Sequence, residues 1–152
     1  MKTILPVAVA GLTLALLAGC AAPGVYKTRS DLVTDPAACT AKRFEVYFDQ
    51  DQARLTAAAR EAISLTATQL QGCDITKVQV LGLADARSGT AAANQSLSER
   101  RARSVAEALA SAGLPAPAFE VSGAGADGAV VHGVNDPMRR RTEVLIEVAP
   151  RR

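Results

Sequence analysis

ADARSGTAAANQSLSERRARSV, residues 84–105, is the stretch from which the rest of the chain can be read. To its left, KVQVLGLA (77–84) puts Val78 and Val80 on one face and Gln79 and Leu81 on the other, the period of a half-buried strand. To its right, LSERRARSVAEALASAG (97–113) repeats Leu97, Ala102, Val105, Ala108 and Leu109 at helical spacing and closes on Gly113 and Pro115. Ser96 and Glu99 have the spacing of a capping box, with Asn94 as the other candidate cap. Asp85 stands where the strand ends and a Gly/Ser turn begins, so one carboxylate faces an arginine-bearing helix across a short loop. Two readings are open. Asp85 can pair with Arg101 and fix the loop, leaving Arg100 and Arg103 solvated, or the two can form a pincer for a ligand carrying both an ammonium and a carboxylate.

Outward from this unit the pattern repeats. RFEVYF (43–48) alternates, with Phe44, Val46 and Phe48 on one face and Glu45 and Tyr47 on the other. After the polar turn DQDQARL, Thr56 caps a helix whose buried stripe is Ala59, Ala62, Ile63, Ala67 and Leu70, stopped by Gly72. FEVSGA (119–124) reads as a third strand, Gly125–Pro137 as a glycine-rich loop, and TEVLIEV (142–148) as a fourth strand. The order β-α-β-α-β-β predicts an α/β sandwich, two helices packed on one mixed four-stranded sheet. Each strand–helix–strand unit suggests parallel neighbours, and the last strand is expected antiparallel to one of them.

The chain begins MKTILPVAVAGLTLALLAGC, where Lys2 precedes an uncharged, mostly apolar run from Ile4 to Leu17. A spanning helix needs about 20 such residues, so the segment reads as a secretory signal over residues 1–19. Leu17-Ala18-Gly19-Cys20 resembles the lipobox of bacterial lipoproteins, in which the cysteine is lipidated and becomes the first mature residue. Ala21 follows where an inner-membrane retention signal would have Asp, so that resemblance implies an outer-membrane lipid anchor facing the periplasm. Buried acyl chains contribute about 0.8 kcal/mol per methylene. Residues 20–42, with two prolines and no apolar period, read as the lipidated N-terminus and a tether. Fully extended, residues 21–38 reach roughly 60 Å. With Cys20 lipidated, Cys39 and Cys73 are expected to pair as a disulfide in an oxidising compartment, the alternative being two small buried thiols.

Removing residues 1–19 from the 152 leaves 133, enough for one domain and too few for two. The formal charge of +2, and 3% aromatic residues, point to neither a nucleic-acid field nor a base-stacking platform. Catalysis fares poorly: His132 is the single histidine and lies in the glycine-rich loop without a paired nucleophile, so it reads as a surface residue. Gly123-x-Gly125-x-x-Gly128 matches a dinucleotide fingerprint in letters alone, because no helical period follows to present an N-terminus to a pyrophosphate. No zinc spacing, redox C-x-x-C or phosphate loop is present, and neither a metal nor another cofactor is expected.

Asp85, Asn94, Leu97-Ser98, Arg101-Ala102 and Val105 form D-(x)8-N-x-x-L-S-x-x-R-A-x-x-V. This resembles the core of the OmpA-like peptidoglycan-binding domain, roughly G-H-T-D-x-x-G followed by N-x-x-L-S-x-x-R-A-x-x-V. FEVYFDQDQARLT resembles the family's first strand and its entry to helix one, VQVLGLAD its strand before the aspartate, LPAPAFEVSGAG the strand after helix two, and RRRTEV its terminal N-R-R-V-E-V. About 105 residues are covered in order, and the domain is placed at residues 43–149.

The resemblance implies a grip on the diaminopimelate of peptidoglycan stem peptides, with Asp85 and Arg101 at the matching positions. The free end of that side chain carries an ammonium and a carboxylate on one carbon. A carboxylate accepts from the first and an arginine fork donates twice to the second. Asn94 and Arg140 or Arg141 are further candidate contacts. Three departures bear on affinity: Leu83-Ala84 replaces His-Thr, the loop from Asp85 to Gly89 is one residue longer, and Arg139 replaces Asn. The expected role is therefore a non-enzymatic tether between outer membrane and peptidoglycan. The rival is the same fold as a docking module for envelope proteins of a secretion or motor assembly.

Overall fold

The computed structural model describes residues 39–87 and 89–151; the signal segment, Cys20 and most of the tether lie outside them. Strand β1 (Lys42–Tyr47) turns Val46, and Phe48 just beyond it, into the core. Helix α1 (Ala57–Gln69) starts on Thr56, whose Oγ1 accepts the Ala59 N–H at 3.1 Å. Ile63, Ala67 and Leu70 form its buried stripe, while Ala62 faces solvent. Gly72, at φ 87°, turns the chain into β2 (Cys73–Gly82).

Helix α2 (Ala91–Ser111) begins six residues before the expected Leu97. Thr90 is the cap, its Oγ1 accepting from Ala93 N–H at 3.2 Å, and Ala91 to Ala93 are strong helix formers that carry no apolar period to reveal them. The proposed Ser96/Glu99 capping box is therefore mid-helix. Ser96 Oγ accepts from Arg100 Nη1 at 2.6 Å, and Glu99 Oε1 from Gln95 Nε2 at 2.9 Å. After α2 come β3 (Phe119–Gly123), a hairpin of β4 (Val130–Val131) and β5 (Val134–Asn135), and β6 (Arg141–Pro150).

The hairpin occupies what the sequence suggested was plain loop. Its two-residue turn is His132 (φ 51°) and Gly133 (φ 78°), the positive-φ pair that matches strand twist in a tight hairpin. His132 sits exposed at that tip. The Gly123–Gly128 run leads into turns and this hairpin, not into a helix.

The four-stranded sheet has the order β1-β6-β2-β3. β2 and β3 are parallel, as the second strand–helix–strand unit predicts. β1 and β2 are not neighbours, because β6 enters between them antiparallel to both. The reason lies in β6 itself. Val144 and Ile146 are fully buried beneath the helices, and such a row is best sheltered at the centre of the sheet. Two helices on a mixed four-stranded sheet are thus observed. Val78, Val80, Val105, Leu109, Val144 and Ile146 make the centre of the core.

Cys39 and Cys73 form a disulfide with Cα atoms 5.6 Å apart, closing a separation of 34 residues. Loop-closure entropy values such a bridge at almost 4 kcal/mol before native strain is subtracted. Reduction should lower the melting temperature by about 10–15 °C, read by circular dichroism with and without a phosphine reductant. An unchanged transition would show that the bridge contributes nothing to the fold.

Candidate functional site

Two glycines decide where α2 sits. Gly82 and Gly123 are register partners on β2 and β3, and both lie directly under Ser98. A Cβ on Gly82 would stand 1.9 Å from the Ser98 carbonyl oxygen; one on Gly123 would stand 2.4 Å from Ser98 Oγ and 2.6 Å from Glu99 N. The helix therefore rests on bare backbone here. Ser98 Oγ donates to Gln95 O at 2.8 Å and accepts from Gly125 N–H at 2.9 Å, fixing the loop after β3 as well. Asn94 and Arg101, one turn to either side of Ser98, consequently project toward the end of β2 where Asp85 lies.

Asp85, Asn94 and Arg101 are all buried, Asp85 and Arg101 completely. A buried charge survives only with compensation, and each has it. Arg101 donates from Nε to Gln52 O at 2.8 Å, from Nη1 to Leu83 O at 2.9 Å and from Nη2 to Asp49 O at 3.1 Å. Its guanidinium also lies 5.2 Å from the centre of the Phe48 ring. Burial lowers the Arg101 pKa; the negative charge of Asp85 raises it in opposition, and Arg140 lowers it further. Arg140 Nη1 meets Asp85 Oδ2 at 3.1 Å, and its side chain remains 28% exposed. The outcome is one enclosed carboxylate in the field of two cations, with Arg140 at the solvent side.

The structure thus brings together Asp85, Arg101 and Arg140, with Asn94 on the same helix face. Asn94 Nδ2 reaches Gly89 O at 3.4 Å, while Asn94 Oδ1 and Arg140 Nε are buried with no hydrogen-bond partner among the described residues. Arg141 goes elsewhere. It pairs with Glu143 at 2.7 Å and Glu45 at 3.3 Å on the sheet face opposite the helices, where the two glutamates outweigh the effect of burial and raise its pKa. Arg139, one residue before Arg140, donates to the carbonyl of Asp127. Leu83 and Ala84 are packed in the interior, and Leu83 N–H donates to Arg141 O at 2.9 Å. Sequence reading placed Ser98 in the motif but gave it no role, although its place midway between Asn94 and Arg101 on one helix face was the available signal. It also missed Asn135, whose Oδ1 accepts the Ala86 N–H at 2.8 Å; nothing local marks that contact across 49 residues.

A mixed sheet with two helices on one face, and a buried acid–base cluster at the end of a central strand, define an OmpA-like domain. Residues 47–143 match the OmpA family, and the chain belongs to it. It is 36% identical over 110 residues to outer membrane protein A of Escherichia fergusonii, covering 71% of this chain and 45% of that protein. Against outer membrane protein A of Escherichia coli O157:H7 the identity is again 36%, over 71% of this chain and 32% of that protein. The chain therefore spans less than half the length of these curated relatives. Among solved structures, the OmpA-like domain of FopA1 from Francisella tularensis superposes with TM-score 0.59 at 27% identity, over 72% of this chain and 76% of that one. The peptidoglycan-associated lipoprotein of Burkholderia pseudomallei superposes with TM-score 0.58 at 26% identity, over 70% of this chain and 91% of that one. The periplasmic domain of Helicobacter pylori MotB shares the fold alone, at 14% identity and TM-score 0.56 over 72% of this chain and 75% of that one.

Proposed function

We propose that this protein is a periplasm-facing outer-membrane lipoprotein that holds peptidoglycan non-covalently through the diaminopimelate of its stem peptides. Lipid on Cys20 anchors it, residues 20–42 span the gap, and the folded domain clasps the wall without catalysing a reaction. The observation that carries this reading is the buried Asp85 carboxylate between Arg101 and Arg140. A zwitterionic carbon fits that charge order. Its ammonium is accepted by Asp85, and its carboxylate takes donors from the two guanidiniums. Among the described residues, Arg101 spends three of its five N–H donors on backbone carbonyls, which leaves one on each terminal nitrogen. Arg140 Nε and Asn94 Oδ1 add an unused donor and an unused acceptor beside them. Asp85 and Arg101 are fully enclosed and Arg140 is partly exposed, so in this reading Arg140 makes the first contact and a ligand reaches the other two only when the cover over them opens.

Individually modest contacts add up along a polymer that repeats the ligand, through effective concentration. The test is co-sedimentation of the full chain, in detergent, with purified diaminopimelate-type sacculi. Asp85→Asn keeps the shape and removes the charge, and Arg140→Ala removes the exposed cation. Each should weaken binding about 10- to 100-fold, the range for a lost hydrogen bond to a charged group, with folding checked by circular dichroism. Wild type that stays in solution would reject this reading. Docking to another envelope protein would then take its place, and the buried Leu83-Ala84 in place of the family's His-Thr would be its structural root.

A further inference from the structure

We infer that Asn135 is a positioning residue for Asp85, and that the β4–β5 hairpin exists in order to present it. The inference rests on the ligand reading above. Three observations carry it. First, Asn135 Oδ1 accepts the N–H of Ala86, the residue immediately after Asp85, at 2.8 Å. That amide belongs to a turn, so a side chain supplies the acceptor that no strand partner provides. Second, Asn135 is itself held from two sides. It is the hairpin partner of Val130, and the next residue, Asp136, donates its N–H to Ala129 O at 2.7 Å, with Ala129 fully buried. Third, the chain leaving Asn135 delivers the cation. Asp136 Oδ1 accepts from Met138 N–H at 2.9 Å, closing a tight turn over Pro137–Arg139, and the following residue is Arg140, 3.1 Å from Asp85.

Residues 135–140 therefore grip the Asp85 segment at two adjacent points, one a neutral bond to backbone and the other an ion pair. The ion pair acts on the carboxylate itself. The second bond fixes the peptide that follows it, and so the direction in which Asp85 points. Asn135 touches the ligand nowhere in this scheme; it acts through Ala86.

The test is made on the full chain in detergent, using a soluble tripeptide muropeptide ending in diaminopimelate as the probe. Asn135→Leu keeps the bulk and removes the acceptor, and Asn135→Asp restores it. Asn135→Leu is expected to keep the wild-type melting temperature within a few degrees, to accelerate hydrogen exchange at the Ala86 amide, and to weaken the muropeptide about five- to tenfold, the worth of one hydrogen bond. Asn135→Asp should recover the Ala86 protection and most of the affinity. Unchanged exchange at Ala86 in Asn135→Leu overturns the inference, as does unchanged affinity. Wild type that fails to bind the muropeptide rejects the ligand reading separately, and the exchange measurement still decides whether Asn135 holds the loop.

Discussion

Alanine at position 82 should unfold the domain or cost it about 4 kcal/mol or more. Ordinary overpacking of a core costs about 1–3 kcal/mol because flexible side chains yield. At Gly82 the obstacle is the Ser98 carbonyl oxygen, 1.9 Å from the new methyl, with the Ala102 amide nitrogen at 3.0 Å. Backbone inside a helix cannot rotate away, so α2 must lift from the sheet. Lifting it strips cover from Val105 and Leu109, both fully buried, and separates Arg101 from its carbonyls. Urea denaturation of Gly82→Ala against wild type measures the loss. A transition within about 1 kcal/mol of wild type would mean that the seat is far more yielding than its contacts indicate.

Arg101→Met should cost about 3–5 kcal/mol, the range for removing one member of a buried charge cluster. Methionine fills the space over Phe48 but strands the carbonyls of Asp49, Gln52 and Leu83. It also removes one of the two cations whose field surrounds Asp85. Arg101→Lys should fall between, because a single ammonium cannot reproduce a fork that reaches the β1–α1 loop and the end of β2 together. Equilibrium unfolding of both variants ranks them. Equal stability of Arg101→Lys and wild type would contradict the three-carbonyl account. One practical result is that lost sacculus binding in an Arg101 variant confounds ligand contact with folding, whereas Arg140, partly exposed and tied to Asp85 by one bond, separates them.

Much of the fold was legible because two periods, 2 and 3.6, alternate cleanly along the chain. Thr56, Gly72 and Gly113 punctuate the helices where the sequence places them, and Cys39 meets Cys73. Periodicity does not name strand partners, and so the entry of β6 between β1 and β2 was invisible. The start of α2 was hidden for another reason. Its first turn is alanine, which forms helix well and displays no face, so Ser96 and Glu99 offered a plausible start inside a helix already under way. At the site, the burial of Asp85 and Arg101 could not be read from charge pattern, since a solvated helix start has the same letters. Arg141 was readable after all. In β6, Thr142, Val144 and Ile146 take the inner face, so Arg141 and Glu143 must take the outer one. Asn135 was not readable, because its partner is set by how a glycine-rich segment folds back, not by its neighbours.

The position of the disulfide has a consequence under tension. Cys39 precedes β1, an edge strand that among the described residues pairs only with β6, and a pull on the chain there would ordinarily peel β1 away one hydrogen-bonded pair at a time. The bridge to Cys73 carries the load past β1 to the first residue of β2, a strand that pairs with β6 from Cys73 onward and with β3 over Val78–Gly82. β2 runs about 30 Å from that residue to Gly82, and Asp85 lies just beyond its far end. Under the proposed tether role, a pull entering at Cys39 and leaving near Asp85 would travel lengthwise down a central strand. The covalent backbone of β2 then carries the tension between its two ends, and the β1–β6 ladder is left out of the load path.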